Sequence, residues 1–377
     1  MRVAMFTDTY TPQINGVVTS IQAFRTELER QGHEVHVFAP AGHAPCEERV
    51  HRLRSFTFAP YPEYKISVPH PRLVDEFERI RADVIHVHTP ISVGLIGIGL
   101  ARHFDLPAIG TFHTLLPEYM HYLVKGSVPL LAPAQRLAWN WCRWFYNRCD
   151  AVIAPSAATA QLLKQKHIKK PIYAIPTGIQ KPAIASRYAI TTFRKRWGLN
   201  GKVLLHVGRV TREKGIEAII DAVHGLPDAT LAIASDGPHR AELQKYVRQS
   251  GLAKRVRFLG YLPKPELAAA YSAADLFVCG SQSETQGIVL LEAAAAGTPI
   301  VALDAPVVSD FIRENRAGII ATKDDFAHAI ESALEDTELR VRMKRRAKSI
   351  ADKYSIERCT KELIEVYEQA AKRKSRV

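Results

Sequence analysis

The chain is expected to fold as two consecutive doubly wound α/β units, and three observations carry that expectation. Short apolar runs alternate with helical stretches through most of the sequence, the pattern of a parallel sheet with helices on its faces. The same motif types restart after a linker that begins at Pro176-Thr-Gly178. Finally, 377 residues exceed what one ordinary hydrophobic core organises. The division expected is 1–180, with a last helix returning to it, and 181–355.

Composition narrows the function classes. Apolar content of 47% with 24% charged residues describes a soluble globular protein. The five cysteines (46, 142, 149, 279, 359) form no CxxC pair, which argues against a disulfide frame or structural zinc and for a reducing cytosol. Met1–Phe6 reads as a strand and not as a signal peptide. The longest apolar run, Ile91–Ala101, is well short of the roughly 20 residues that span a bilayer. A net charge of +13 points to an anionic partner: a nucleotide, a nucleic acid or an anionic lipid surface.

In order along the chain, Arg2–Phe6 is a strand, the loop Thr7–Gly16 follows, and Val17–Arg30 has helical apolar spacing. Glu34–Phe38 completes a βαβ opening. Its loop is not GxGxxG, so a nicotinamide site is disfavoured, and Gly16 taken alone reads as a helix-start glycine sooner than as a place for close backbone approach. Ala82–His88 and Pro107–Thr111 are buried strands flanking a helix, Thr89–Arg102. His113 lies just past the second strand, where open α/β sheets place ligands. His86 and His88 alternate along their strand and read as packing or lining residues.

Tyr119–Cys149 is unusual. It holds Trp139, Trp141 and Trp144 among other aromatics, with Lys125, Arg136, Arg143 and Arg148, and no acidic residue after Tyr119. Basic charge mixed with interfacial aromatics suits a helix lying on an anionic membrane. A core helix with Trp139 and Trp144 turned inward fits the same residues. Beyond it come the strand Asp150–Pro155, the helix Ala157–Gln165 capped by Ser156, and the strand Ile172–Ile175. The second half then offers the strand Lys202–Val207, the loop Gly208–Gly215 and the helix Ile216–His224. Further strands are Thr230–Ala234, Arg255–Leu259 and Leu276–Val278. A charged helical region from about Glu331 leads to the helix Ile356–Lys372 and a basic tail. That tail carries no nucleic-acid-binding module.

The stretch Ser281–Val301 is the centre of the chemistry. A polar turn ending at Gly287 enters the helix Ile288–Ala296, and Gly297-Thr-Pro stops it. Glu284 and Glu292 are separated by seven residues. Amides of Thr285–Ile288 at a helix N-terminus can hold a phosphate while the two carboxylates accept hydrogen bonds from hydroxyls. A sugar nucleotide offers both groups. Read singly, Glu284 could be a helix cap and Glu292 a solvated helix residue.

Taken together, the Thr7–Gly16 loop, Phe112-His113-Thr114, Gly208-Arg209 with Lys214, Ser235-Asp-Gly237-Pro238 and the Glu284–Glu292 pair resemble, in order, a family 4 retaining glycosyltransferase. That resemblance implies a GT-B fold, two Rossmann-like domains facing a central cleft with the C-terminal helix (356–377) crossing back. It implies no metal and no other cofactor, only a nucleotide-sugar donor. Carried over residue by residue, Gly16 lets a backbone amide approach the pyrophosphate, and Arg209 and Lys214 neutralise the leaving phosphate. Glu284 accepts donor-sugar hydroxyls and Glu292 the ribose hydroxyls. Thr285, Gln286, Gly287, Ile288 and Gly237 complete the donor site, and His113 lines the sugar. No residue matches the nucleophile of a retaining hydrolase.

Within the family the chain is most similar to diacylglycerol 3-glucosyltransferases and related glycolipid synthases, on Thr111–Thr114 followed by Glu118–Tyr122, the basic-aromatic segment and Ser283–Gly287. Many relatives acting on other acceptors carry Phe where Gln286 stands. Ser235 departs from the commoner glycine. The implied reaction is glucose transfer from UDP-glucose to a lipid such as 1,2-diacylglycerol at the cytosolic membrane face. The alternative is GDP-mannose-dependent mannosyl transfer to another lipid or glycan.

Overall fold

The computed structural model describes residues 1–42, 47–57, 65–120, 128–180 and 185–374. They form two compact units, Met1–Gly178 with Ile356–Val377, and Ile179–Ser355.

The first unit is built on a parallel sheet of order β3-β2-β1-β6-β7-β8-β9. Its strands are β1 (Arg2–Phe6), β2 (Glu34–Pro40), β3 (Val50–Leu53), β6 (Val84–Val87), β7 (Ala108–Thr111), β8 (Ala151–Ala154) and β9 (Ile172–Ala174). A small antiparallel pair, β4 (Ser55–Thr57) and β5 (Lys65–Ser67), lies outside it. Alternation along β1 shows why the strands read as continuous apolar runs. Val3 and Met5 pack with Ile21, Phe24, Leu363 and Tyr367 on one face, and Ala4 and Phe6 with Phe77, Ile98 and Phe145 on the other. Both faces are covered, so neither side chain set needs to be polar.

The helix Ile356–Lys374 belongs to this unit: Ile356, Cys359, Leu363, Val366, Tyr367 and Ala370 supply its buried stripe. The helix Ala157–Gln165 begins as expected, with Ser156 Oγ accepting from Thr159 N at 3.1 Å.

The second unit carries a parallel sheet of order β12-β11-β10-β13-β14-β15. The strands are β10 (Lys202–Val207), β11 (Ala229–Ala234), β12 (Val256–Gly260), β13 (Leu276–Cys279), β14 (Ile300–Leu303) and β15 (Gly318–Ala321). The strand order reverses between β10 and β13. Loops leaving the two strands at such a reversal diverge and open a crevice. In the first unit the same reversal lies between β1 and β6.

Several elements escaped the sequence: β3 to β5, β15, and the helices Leu73–Ile80, Arg240–Gln249, Lys264–Ala273 and Pro306–Asn315. The linker beginning at Pro176, which the sequence alone carries on to about Ile190, ends sooner, because Ser186 caps a helix at Arg187–Trp197, accepting from Ala189 N at 3.1 Å.

Candidate active site

In the second unit, Lys214 stands in the loop after β10 and Glu284 in the loop after β13. Lys214 Nζ donates to Glu284 Oε1 at 2.5 Å, and the two side chains are 19% and 14% exposed. Burial works against the Lys214 ammonium, but the adjacent carboxylate outweighs it and raises its pKa. Burial likewise penalises the Glu284 carboxylate, and the Lys214 ammonium beside it overcomes this and lowers its pKa. Both groups therefore stay charged in a half-closed setting.

Glycine backbone makes this meeting possible. A Cβ on Gly215 would lie 2.3 Å from the Gly280 carbonyl oxygen, and one on Gly280 would lie 2.3 Å from that of Gly215. The two loops touch main chain to main chain immediately beside Lys214 and below Glu284.

The helix Ile288–Ala295 begins at Gly287, with φ +72 and no side-chain cap. Glu284 is therefore an ion-pair partner and not a cap. Thr285 and Gln286 lie half-buried in the turn before it. Glu292 is not a solvated helix residue either: its Oε2 accepts from the Tyr271 hydroxyl at 2.7 Å. Burial raises its pKa, against the lowering effect of that hydrogen bond. Gly297, at φ +79, ends the helix as the sequence indicated.

Arg209 lies half-buried five residues before Lys214 in the same loop. The Ser235–Pro238 loop packs against this segment. Val210 N donates to Asp236 O at 3.0 Å, and a Cβ on Gly237 would fall 2.3 Å from Val210 O. Ser235 has φ +104, a conformation that glycine tolerates and serine strains to hold.

His206 was missed by the sequence reading. It is buried at the end of β10, Nδ1 donates to Val278 O at 3.1 Å, and burial lowers its pKa to about 4. Its Nε2 has no partner among the described residues. The available signal was its place two residues before Gly208, at the end of a strand bordering the reversal.

In the first unit, Asn15 caps the helix Gly16–Arg30 by accepting from Val18 N at 3.0 Å. A Cβ on Gly16 would meet nothing within 4 Å among the described residues, so no contact among them requires glycine there. Asp8, in the same loop, is buried. Its carboxylate accepts from Thr89 Oγ1 at 2.6 Å, Ser92 Oγ at 2.5 Å and Val93 N at 2.8 Å. It thereby caps the helix Ser92–His103. His113 follows β7, half-buried, with its pKa lowered to about 3 by burial. Its Nε2 lies 2.9 Å from Nδ1 of His88.

The helix Val128–Tyr146 divides by face. Trp139 stacks on the buried Phe112 with ring centroids 6.0 Å apart, and Trp141 Nε1 donates to Pro90 O at 2.7 Å. On the other side Leu130 (57% exposed), Leu137 (70%) and Trp144 (42%) recur at seven-residue spacing. Arg136 is exposed and Arg143 half-buried nearby in sequence. The core alternative placed Trp139 and Trp144 together; only Trp139 packs inward. The Arg148 guanidinium lies 3.6 Å over the Trp144 ring and donates to its carbonyl at 2.8 Å. Lys125 lies outside the described residues. No described helix is long and apolar enough to cross a membrane, and no described cluster of three or more His, Cys, Asp or Glu has metal-binding geometry.

Comparison with known proteins places this geometry. Residues 14–181 match the profile described as Glycosyltransferase Family 4, and residues 190–350 that described as Glycosyl transferases group 1. The chain is 33% identical over 350 residues to an alpha-monoglucosyldiacylglycerol synthase of Streptococcus pneumoniae, covering 89% of this chain and 78% of the relative. It is 30% identical to a GDP-mannose-dependent alpha-mannosyltransferase of Mycolicibacterium smegmatis, covering 89% and 88%. Among solved structures, sucrose-phosphate synthase from Thermosynechococcus elongatus superposes with a TM-score of 0.78 at 21% identity, over 98% of both chains. Anabaena Alr3699/HepE in complex with UDP-glucose gives 0.77 at 21%, over 98% and 100%.

Proposed function

The chain belongs to glycosyltransferase family 4, a retaining glycosyltransferase of the GT-B fold using a nucleotide-sugar donor, and we propose that it moves glucose from UDP-glucose to a membrane lipid such as 1,2-diacylglycerol, giving an α-glycolipid. The observation that carries the reading is the Lys214–Glu284 pair at the strand-order reversal, beside a helix N-terminus that no side chain caps.

In this reading the bond between the anomeric carbon and the phosphate oxygen breaks as the acceptor hydroxyl attacks from the same face and passes its proton to the departing phosphate oxygen. Leaving-group stabilisation supplies the driving force. Lys214 spends one of its N–H donors on Glu284 and has two others to offer the departing phosphate. Arg209, five residues earlier, adds a fork-shaped donor set. The amides of Thr285, Gln286, Gly287 and Ile288 face the same anion with the helix dipole behind them. Glu284 accepts sugar hydroxyls, and Glu292, oriented by Tyr271, accepts the ribose hydroxyls. Gly237 keeps its loop close to Val210. Gly16 admits a phosphate against the first unit's helix, and His113 lines the sugar. No metal is needed for charge neutralisation.

The acceptor reading rests on the exposed stripe Leu130, Leu137 and Trp144 with Arg136 and Arg143. Apolar side chains enter the lipid boundary while the guanidinium groups meet anionic headgroups, about 1 kcal/mol for each. The protein then works as a peripheral enzyme on the cytosolic membrane face. A second reading, mannosyl transfer from GDP-mannose, is favoured by the 30% identical mannosyltransferase.

A screen of UDP- and GDP-sugars, with anionic or zwitterionic liposomes containing diacylglycerol, tests both points. UDP-glucose turnover to a glucosyl lipid on anionic liposomes is the expected result; turnover of GDP-mannose alone overturns the donor. Leu137→Glu with Arg136→Glu should lower liposome binding and lipid glycosylation while sparing donor hydrolysis. Unchanged binding by that folded variant removes the membrane assignment.

A further inference from the structure

A second histidine stands behind His113. His88 leaves the end of β6, is 1% exposed, and places Nδ1 2.9 Å from His113 Nε2. The two rings lie nearly parallel, 19° apart, with centroids at 5.2 Å. The remaining nitrogen of His88, Nε2, is buried and has no partner among the described residues. His86 packs against the same ring, tilted by 33° with centroids 4.0 Å apart.

Both rings of the pair are uncharged near neutral pH, because burial lowers His88 well below its usual range and His113 to about 3. Two neutral imidazoles joined by one hydrogen bond hold one proton between the facing nitrogens. If His88 kept its own proton on Nε2, a buried N–H would point at nothing. Orphaned buried N–H groups are rarer than acceptors left with an unused lone pair. The other arrangement puts the His88 proton on Nδ1, where it is donated to His113 Nε2, and leaves a bare lone pair on His88 Nε2. His113 Nε2 then accepts, so the proton of His113 must sit on its Nδ1.

We propose that His88 is a positioning residue that locks His113 in the Nδ1–H tautomer, so that Nδ1 of His113 is a hydrogen-bond donor to whatever group it meets. That His113 lines the sugar rests on the function proposed above; the tautomer does not. His86 cannot substitute for His88. Its Nδ1 is engaged by the Tyr367 hydroxyl at 2.7 Å and its Nε2 by Thr111 Oγ1 at 2.6 Å. It ties β7 to the C-terminal helix and has no nitrogen left for His113.

The test is a side-chain nitrogen NMR spectrum of the full chain labelled with [15N]histidine, without any substrate. The His113 signals are assigned by their loss in His113→Gln. The parent should show His113 protonated at Nδ1. His88→Asn, whose amide nitrogen falls near the position of imidazole Nδ1, should keep that tautomer and turnover within about threefold of the parent. His88→Phe retains a flat ring for packing but no donor. His113 should then shift toward Nε2–H, and kcat should fall on the order of tenfold with KM little moved. A parent spectrum with His113 protonated at Nε2 overturns the proposal, and it does so even if His88→Phe fails to fold. Parent-like turnover in His88→Phe, or an equal loss in the asparagine variant, overturns it too. Failure of the donor screen leaves the spectral result untouched, which separates the two readings.

Discussion

Each unit holds a carboxylate beside its strand-order reversal, and the two are used in opposite ways. Asp8, after β1, turns its oxygens onto Thr89, Ser92 and Val93, so the protein itself consumes every bond it offers. Glu284, after β13, gives one oxygen to a lysine that has donors to spare and remains 14% exposed. The same architecture thus yields a helix cap in one unit and a charged, partly open pair in the other. What differs is the partner: neutral hydroxyls and an amide fix a carboxylate in place, whereas an ammonium keeps it ionised and leaves both ions capable of binding something else.

Removing each carboxylate should sharpen the contrast most. Asp8→Ala strands the Val93 amide and two hydroxyls, and should cost about 3 kcal/mol of stability in urea unfolding. A stable Asp8→Ala protein that has lost activity would move Asp8 from cap to catalysis. Glu284→Gln should do the reverse, leaving the fold intact while turnover drops roughly ten- to a hundredfold, the loss of one charged hydrogen bond. Near-parent turnover in that variant would make Glu284 a structural residue like Asp8.

The lysine side of the pair gives a smaller effect that depends on salt. Arg209→Ala and Lys214→Ala should each weaken nucleotide diphosphate binding, with the loss largest at low ionic strength. Unchanged affinity in calorimetry for both variants would defeat the phosphate-clamp assignment.

The two carboxylates should also respond to acid with opposite sign. Glu284 has a folded pKa below its usual 4.5, so the folded state binds fewer protons and the pair's stabilisation is lost as pH falls below that value. Asp8 has a folded pKa above its usual 3.8. There the folded state binds more protons, and stability declines as pH rises from 3.8 toward the raised value. Relative to the parent, Glu284→Gln should flatten the loss of stability on acidification, and Asp8→Asn should steepen it. Slopes that shift the same way would show the comparison to be mistaken.

Ser235 offers the least effect. The other described non-glycine residues at positive φ lie between +48 and +61, whereas Ser235 is at +104, outside the left-handed well. Ser235→Gly should stabilise the protein by about 1 kcal/mol, since relief of strain exceeds the added unfolded-state entropy. A lower melting temperature would mean that the serine side chain contributes more than its backbone costs.

Local pattern made much of this legible from sequence. β1 and β10 begin and end where the apolar runs do, Ser156 caps its helix, and Gly297 stops the helix carrying Glu292, because each depends on neighbours within a few residues. The family pattern likewise singled out Glu284 and Lys214 as candidate site residues. It did not pair them: they stand 70 residues apart and meet only because the sheet order sets β10 beside β13 and two glycines let the loops touch. Asp8 and Glu284 look alike as acids after a strand, yet the residues facing them, 81 to 85 and 70 positions away, decide which becomes a cap. His88 and His113 are joined for the same reason, since β6 and β7 lie side by side. Tertiary structure also split the aromatic helix, because composition counts Trp139 and Trp144 alike while the core of the first unit packs against only Trp139 and leaves Trp144 exposed.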